Sequence, residues 1–238
     1  TSWIHRESID CAEVFEMKQI SGKLFRAPVA LLVALGLTGG QAFADIVGSV
    51  HDFSNSGFSG GEICVVCHTT HNADTSVTEA PLWNHELTSQ TFAMYSSPTL
   101  DAAQDAQPTG ASKLCLSCHD GATALDAYGG SSGSVFMTGP AAVGANDDLT
   151  DDHPISIIYD SALAVTDPGL HDPTQQTVTI GSGNKTRTGL VSELMTPAGK
   201  LQCSSCHDVH NTFVAGSNRS LLIISKSGSQ ICLACHDK

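Results

Sequence analysis

The chain has 238 residues with 24 acidic and 11 basic side chains, and its formal net charge is −13. This excess of negative charge excludes electrostatic binding to the phosphate backbone of nucleic acids. Aromatic residues are few, glycine is frequent, and no apolar run beyond residue 44 approaches the length of a membrane span, so a loop-rich domain is expected.

The N-terminal residues have the pattern of an export signal. Residues 17–44 begin with three basic side chains, continue through the apolar stretch 27–37 and end in an A-x-A cleavage site. The apolar stretch is too short to span a membrane. We therefore predict a signal peptide over 17–44 and a mature chain that starts at Asp45, with residues 1–16 as non-native upstream translation. The expected location is extracellular or at the cell surface, and the alternative is the periplasm.

Four copies of the pattern C-x-x-C-H follow, and they use every cysteine beyond residue 44. Their cysteines are Cys64, Cys67, Cys115, Cys118, Cys203, Cys206, Cys232 and Cys235, and their histidines are His68, His119, His207 and His236. The pattern is the attachment signature of c-type haem. The two thiols add to the two vinyl groups of the porphyrin, and the histidine binds the iron as its proximal ligand. Zinc sites and disulfides, the alternative uses of paired cysteines, need no histidine after each second cysteine.

Four covalently bound haems leave little room for an ordinary core, so one tetrahaem domain over 45–238 is expected to wrap a row of haems. The predicted fold class is a multihaem cytochrome c, mostly loop and coil, with short helices at the haem motifs and one or two short β-hairpins. In chain order we predict a helix over 113–119, a surface loop over 129–152, a hairpin over 177–191, a helix over 200–207, a strand over 220–224 and a helix over 229–235.

Beyond residue 44, six histidines remain after the four proximal ligands. They are His51, His71, His85, His153, His171 and His210. Four haems need at most four more ligands, so every iron can be held by two imidazoles and closed to substrate. Closed irons transfer electrons, whereas inner-sphere catalysis needs an open position, so we predict that the protein is not an enzyme.

Spacing restricts two of these histidines. His71 and His210 each follow a proximal histidine by three residues, which on a short helix sets both imidazoles on nearly the same side. Neither can bind the iron of its own motif from the opposite face. Each is therefore expected to reach a neighbouring haem or a neighbouring molecule.

Spacing alone does not decide the roles of the other four histidines. His51 lies near the predicted mature N-terminus, and the carboxylates beside His153 are expected to hold its second ring nitrogen. His85, close to Trp83, is a rival ligand, and His171 lies in a loop.

The order of the motifs after His51 is CVVCHTTHN, APLWNH, CLSCHDG, DDHPIS, CSSCHDVHN and CLACH. This order resembles the extracellular cytochrome filaments of metal-reducing bacteria, the tetrahaem OmcE type and more distantly the hexahaem OmcS type. The resemblance covers nearly all of residues 45–238. It implies head-to-tail polymerisation with haems in alternating parallel and T-shaped pairs. It also implies that His71 ligates a haem of the next subunit and that His51, His153 and His210 complete the distal set.

Three functions are compatible with these motifs. The first is a homopolymeric extracellular conductor that exchanges electrons with other redox proteins or extracellular acceptors, without a membrane span. The second is a monomeric periplasmic tetrahaem carrier. The third, a multihaem reductase, requires an iron without a distal ligand, and the surplus of histidines argues against it.

Overall fold

The computed structural model describes residues 45–195, 198–216 and 220–237. The predicted upstream segment 1–16 and the predicted signal peptide 17–44 lie outside the described residues. Irregular coil makes up most of the described chain, and its α-helices are α1 (Gly110–His119), α2 (Ser161–Thr166) and α3 (Gln230–Leu233). None of the helices in these ranges is long and apolar enough to cross a lipid bilayer.

The strands in the described ranges form two small antiparallel sheets. They are β1 (Ile157–Ile158), β2 (Thr177–Ser182), β3 (Lys185–Leu190) and β4 (Lys200–Leu201), with β1 paired to β4 and β2 paired to β3. Short 3-10 turns occur at Phe53–Asn55, Gly139–Ala141, Ala145–Asp147, Val191–Leu194, Cys203–Ser205 and Ser227–Ser229. A mostly coil chain with few short helices and two small sheets is compatible with the predicted multihaem cytochrome.

The second motif lies on α1, as predicted, although the helix begins earlier, at Gly110. Its buried face carries Leu116, which packs against Phe92 and Leu149. The helix ends at His119, and Gly121 follows with a φ of 72°, the left-handed conformation that commonly ends helices. The Asp120 carboxylate accepts from the backbone N–H groups of Ala122 and Thr123, at 2.8 Å each, and holds the turn that leaves the helix. The helix predicted over 229–235 is also present, in the shorter form of α3.

Two predicted elements are wrong. The segment 200–207 is not a helix, because Lys200–Leu201 pairs with β1 and the third motif then forms the 3-10 turn Cys203–Ser205. The segment 220–224 is not a regular strand. Its backbone bonds go to separate places instead: the Leu222 carbonyl accepts from Ala215, and the Ile223 N–H donates to Cys206.

The hairpin of β2 and β3 confirms the prediction over 177–191. Register pairs Ser182 with Lys185, which leaves Gly183 and Asn184 as the two-residue turn. Gly181 has a φ of +85°, and a Cβ on it would collide with the carbonyl oxygen of Lys185. Only glycine fits at this position without a backbone shift.

The apolar core is divided into small clusters. The largest cluster in the described ranges holds five buried side chains, Ile157, Tyr159, Leu163, Val191 and Leu201. A second holds Ile180, Ile223, Ile224 and Ala234. Cys235 of the fourth motif packs against both clusters. The fourth motif is thus joined to both clusters.

Candidate haem sites

The histidines of the first three motifs are oriented in the same way. Nδ1 of His68, His119 and His207 lies 2.8, 2.6 and 2.5 Å from the backbone carbonyls of Pro81, Ala141 and Ser220, respectively. A carbonyl oxygen only accepts, so Nδ1 carries the proton in each ring. The lone pair of Nε2 is then available to a metal, which is the orientation that ligating histidines adopt.

Three of the four motif histidines face a second imidazole. The ring centroids are 6.1 Å apart for His51 and His119, 6.2 Å for His68 and His210, and 6.5 Å for His153 and His236. The angles between the ring planes are 53°, 21° and 73° in the same order. Each pair joins one histidine of a C-x-x-C-H motif to one histidine from a distant part of the sequence.

This spacing fits an iron held between the rings of each pair. A nitrogen ligand lies about 2.0 Å from such a metal. The centre of a five-membered ring with bonds of about 1.35 Å lies about 1.15 Å behind that nitrogen. Two imidazoles on opposite faces of one iron therefore have centroids about 6.3 Å apart, close to the three observed separations.

The pair of His51 and His119 is the most deeply placed. Nδ1 of His51 is buried and has no hydrogen-bond partner. Burial, followed by the nearby imidazoles of His119, His207 and His210, lowers the pKa of His51 to about 4. A buried neutral imidazole with an orphaned nitrogen beside a motif histidine is the arrangement expected of an axial ligand.

His207 differs from the other motif histidines. Within the described ranges, no second imidazole faces its ring. His71 is exposed, and its hydrogen bonds in these ranges involve only its backbone, which bonds to the Thr69 hydroxyl. One predicted proximal ligand and one predicted distal ligand thus have no partner ring among the residues that the structure describes.

The first and third motifs belong to a structural repeat, formed by residues 64–84 and 203–223. In each copy the residue after the motif histidine donates its N–H to the carbonyl of a leucine, Leu82 or Leu221, at 2.9 Å. Both leucines have a positive φ, of 53° and 54°. The asparagines that follow the second histidine, Asn72 and Asn211, also match, with φ of 56° and 58°. By this equivalence His71 corresponds to His210.

Asp208 is a residue that the sequence reasoning missed. Its carboxylate accepts from the backbone N–H groups of His210, Thr212 and Phe213 at 3.0, 2.8 and 2.8 Å. The side chain therefore fixes the turn that carries His210. The signal was present in the sequence, since an aspartate follows the motif histidine in three of the four motifs.

The cysteines of successive motifs lie beside each other. Cys67 of the first motif lies near Cys118 of the second motif. Burial, followed by this neighbouring thiol, raises the pKa of Cys118. The thiols of Cys115 and Cys203 hydrogen-bond one another and so join the second motif to the third. For Cys206, burial, Cys203 and then Cys232 of the fourth motif raise the pKa to about 11. Motifs that are consecutive in sequence thus lie beside each other, and none of the eight cysteines is in a disulfide.

Within the part of the chain that the structure describes, His85 and His171 face no motif histidine, and the second ring nitrogen of His153 has a different partner from the expected one. His85 is buried, with Nδ1 2.8 Å from the Glu86 carbonyl and Nε2 3.5 Å from the Cys118 sulfur, so it lies at an attachment cysteine. His171 contributes backbone bonds to Cys235 and Tyr159. The second ring nitrogen of His153 bonds to the Pro154 carbonyl at 3.0 Å, so the expected contact with the neighbouring carboxylates is wrong.

Comparison with known proteins gives one family match. A family model described as a doubled CXXCH motif matches residues 196–238, which hold the third and fourth motifs. No curated protein matches the chain. The matched pair implies covalently bound c-type haem and supports a multihaem cytochrome whose chemistry is electron transfer.

Proposed function

We propose that the chain is a tetrahaem electron-transfer protein, exported from the cell, that acts as the subunit of an extracellular homopolymer. The observation that carries the proposal is the set of three facing imidazole pairs. The family match supports haem attachment at the third and fourth motifs, and the identical C-x-x-C-H pattern supports it at the first and second.

Each haem would then be held by two thioethers and two imidazoles. The first is held by Cys64 and Cys67 with His68 and His210, the second by Cys115 and Cys118 with His119 and His51, and the fourth by Cys232 and Cys235 with His236 and His153. The third is held by Cys203 and Cys206 with His207 and an imidazole from outside the subunit.

The arrangement favours electron transfer over catalysis. When bound, c-type haem supplies a one-electron redox couple. Histidines of this chain and of a second copy would hold each iron from both sides and leave no position for a substrate. Hydrogen bonds from Nδ1 to backbone carbonyls hold three of the four proximal rings, so little rearrangement is needed when the charge changes. The succession of adjacent motifs provides short steps between neighbouring sites.

The repeat supplies the argument for a second copy of the chain. His210 of the second copy of the repeat faces His68 of the first copy within one subunit. The equivalent histidine, His71, is exposed, and His207 has no facing ring in the described ranges. Placing His71 of one molecule opposite His207 of another reproduces the contact between His210 and His68. Such a contact joins two different surfaces, so copies add head to tail and form an open-ended chain unless the rotation between them closes a ring.

The substitution His71→Ala tests this assignment. We expect four attached haems and a folded subunit, but one haem in four becomes high-spin, and filaments shorten or disappear because the junction loses a directional bond. Visible and resonance Raman spectra report the spin state, and electron microscopy of the purified protein reports the assembly.

His171→Ala is the matched control, because its ring is assigned to no iron. It is expected to keep filaments and four low-spin haems. A His71→Ala protein that polymerises normally with every haem low-spin refutes His71 as the bridge. A parent protein that stays monomeric under all conditions favours the periplasmic carrier.

A further inference from the structure

The residues just before His51 are bound to the turn that carries His210. We name residues 45–52 the N-terminal strap. The backbone N–H of Asp45 donates to the His210 carbonyl at 2.8 Å, and the side-chain amide of Asn211 donates to the Asp45 carbonyl at 2.9 Å. The Asp45 carboxylate also pairs with the ammonium of Lys185 at 2.5 Å. Asp45 is therefore held by three contacts.

The strap is itself well ordered by internal bonds. The Asp52 carboxylate accepts from the Gly48 N–H at 2.7 Å, and the Ser49 N–H donates to the Ile46 carbonyl at 2.9 Å. The Asp52 N–H donates to the Ser49 carbonyl at 3.2 Å. A short segment bonded in this way transmits displacement from one end to the other. Its far end carries His51, which faces His119.

The equivalent turn of the repeat has no such strap. Asn72 has the same left-handed backbone as Asn211, yet in the described ranges its side chain forms no hydrogen bond. The two turns thus share their backbone and differ in what holds the asparagine. A comparison of Asn211 with Asn72 therefore isolates the effect of the contact with Asp45, because both positions require a left-handed backbone.

We propose that Asp45 and Asn211 are positioning residues for the imidazole of His210, and that the N-terminal strap ties the distal ligands of the first and second haems together. This inference rests on the proposed ligation of the first haem by His68 and His210. The strap bonds to the His210 carbonyl and the Asn211 side chain, and Asp208 bonds to the His210 N–H, so both hold the same turn.

The angle between the two imidazole planes makes this positioning measurable. The planes of His68 and His210 differ by 21°, whereas those of the other two pairs differ by 53° and 73°. Near-parallel and crossed imidazoles split the iron d orbitals differently, so the low-spin ferric haems give distinct electron paramagnetic resonance signals. The first haem is expected to give the signal of a near-parallel pair.

The test compares Asn211→Gly with Asn72→Gly in the full mature protein with four haems. Glycine keeps the left-handed backbone and removes only the side chain. In Asn211→Gly we expect the near-parallel signal of the first haem to shift or broaden as the angle between the His68 and His210 rings changes. The Asn72→Gly control is expected to leave that signal unchanged. Should Asn211→Gly fail to accumulate, removing residues 45–47 from the mature chain breaks the same contacts from the other side.

Three results would overturn the inference: an unchanged near-parallel signal in Asn211→Gly, an unchanged signal in the truncated chain, or an equal change in Asn72→Gly. The variant His210→Ala separates this failure from a failure of the proposed function. If His210→Ala leaves all haems low-spin with the near-parallel signal intact, the ligand assignment itself is wrong. If His210→Ala abolishes that signal while Asn211→Gly leaves it unchanged, only the strap is refuted.

Discussion

In the proposed tetrahaem protein, single histidines decide whether each iron has an open position. Nδ1 of the first three motif histidines is bonded to a backbone carbonyl, which leaves the Nε2 lone pair available to a metal. His51 has no such bond, and the burial of its ring and the nearby imidazoles lower its pKa to about 4. The second haem is thus the site where a rival ligand is most worth testing, since His85 lies at its attachment cysteine, Cys118.

The variants His51→Ala and His85→Gln distinguish the two rivals. We expect His51→Ala to convert one haem in four to a high-spin form that binds cyanide, because the second iron loses its distal imidazole. His85→Gln is expected to keep all four haems low-spin and to lower stability by about 1–3 kcal/mol, the cost of disturbing a buried hydrogen-bonded side chain. Cyanide titration and denaturant unfolding measure the two effects. The reverse pattern of spin states would assign the ligand to His85.

Among the secondary-structure elements, the β2–β3 hairpin offers a matched pair of glycines. Gly181 and Gly183 both have a positive φ, of +85° and +60°, but only Gly181 lacks space for a Cβ. We expect Gly183→Ala to cost about 1 kcal/mol and Gly181→Ala to cost roughly 2 kcal/mol more, since the collision with the Lys185 carbonyl adds to the backbone strain. Guanidinium unfolding of the tetrahaem protein, followed by circular dichroism, gives both values. Equal costs would show that the strands do not approach so closely.

Local patterns predicted the elements whose bonds are local. The β2–β3 hairpin and the helix α1 at the second motif could be predicted, because the hydrogen bonds of both elements join residues that are close in sequence. The helix predicted over 200–207 failed because Lys200–Leu201 pairs with a strand far away in sequence, Ile157–Ile158. The strand predicted over 220–224 is absent because its backbone groups bond to two separate segments, at Ala215 and at Cys206.

The residues of the candidate sites also divide into those set by local sequence and those set by contacts between distant segments. Motif spacing alone predicted the attachment cysteines and the proximal histidines, since their chemistry requires adjacent residues. The facing pair of His51 and His119 joins residues far apart in sequence, so spacing could not choose among the six remaining histidines. The repeat of residues 64–84 and 203–223 was also hidden, because the two copies share few residue types beyond the motif and the H-N that follows it.

At the scale of the whole molecule, we propose that one subunit completes only three of its four iron sites and that a second copy completes the fourth. A net charge of −13 per chain makes subunits repel each other, so a specific bond at the junction is needed to set the register. The proposed bond runs from His71 of one subunit to the third haem of the next, opposite His207.

The most direct test is to measure the haem spin state while assembly is reversed. Filaments are dissociated stepwise, electron microscopy records the assembly, and magnetic circular dichroism records the fraction of high-spin iron in the same samples. We expect four low-spin haems in filaments and one high-spin haem in four in dissociated subunits, with both measures changing together. Dissociated subunits whose four haems all remain low-spin would refute the ligation of the third haem by a second copy.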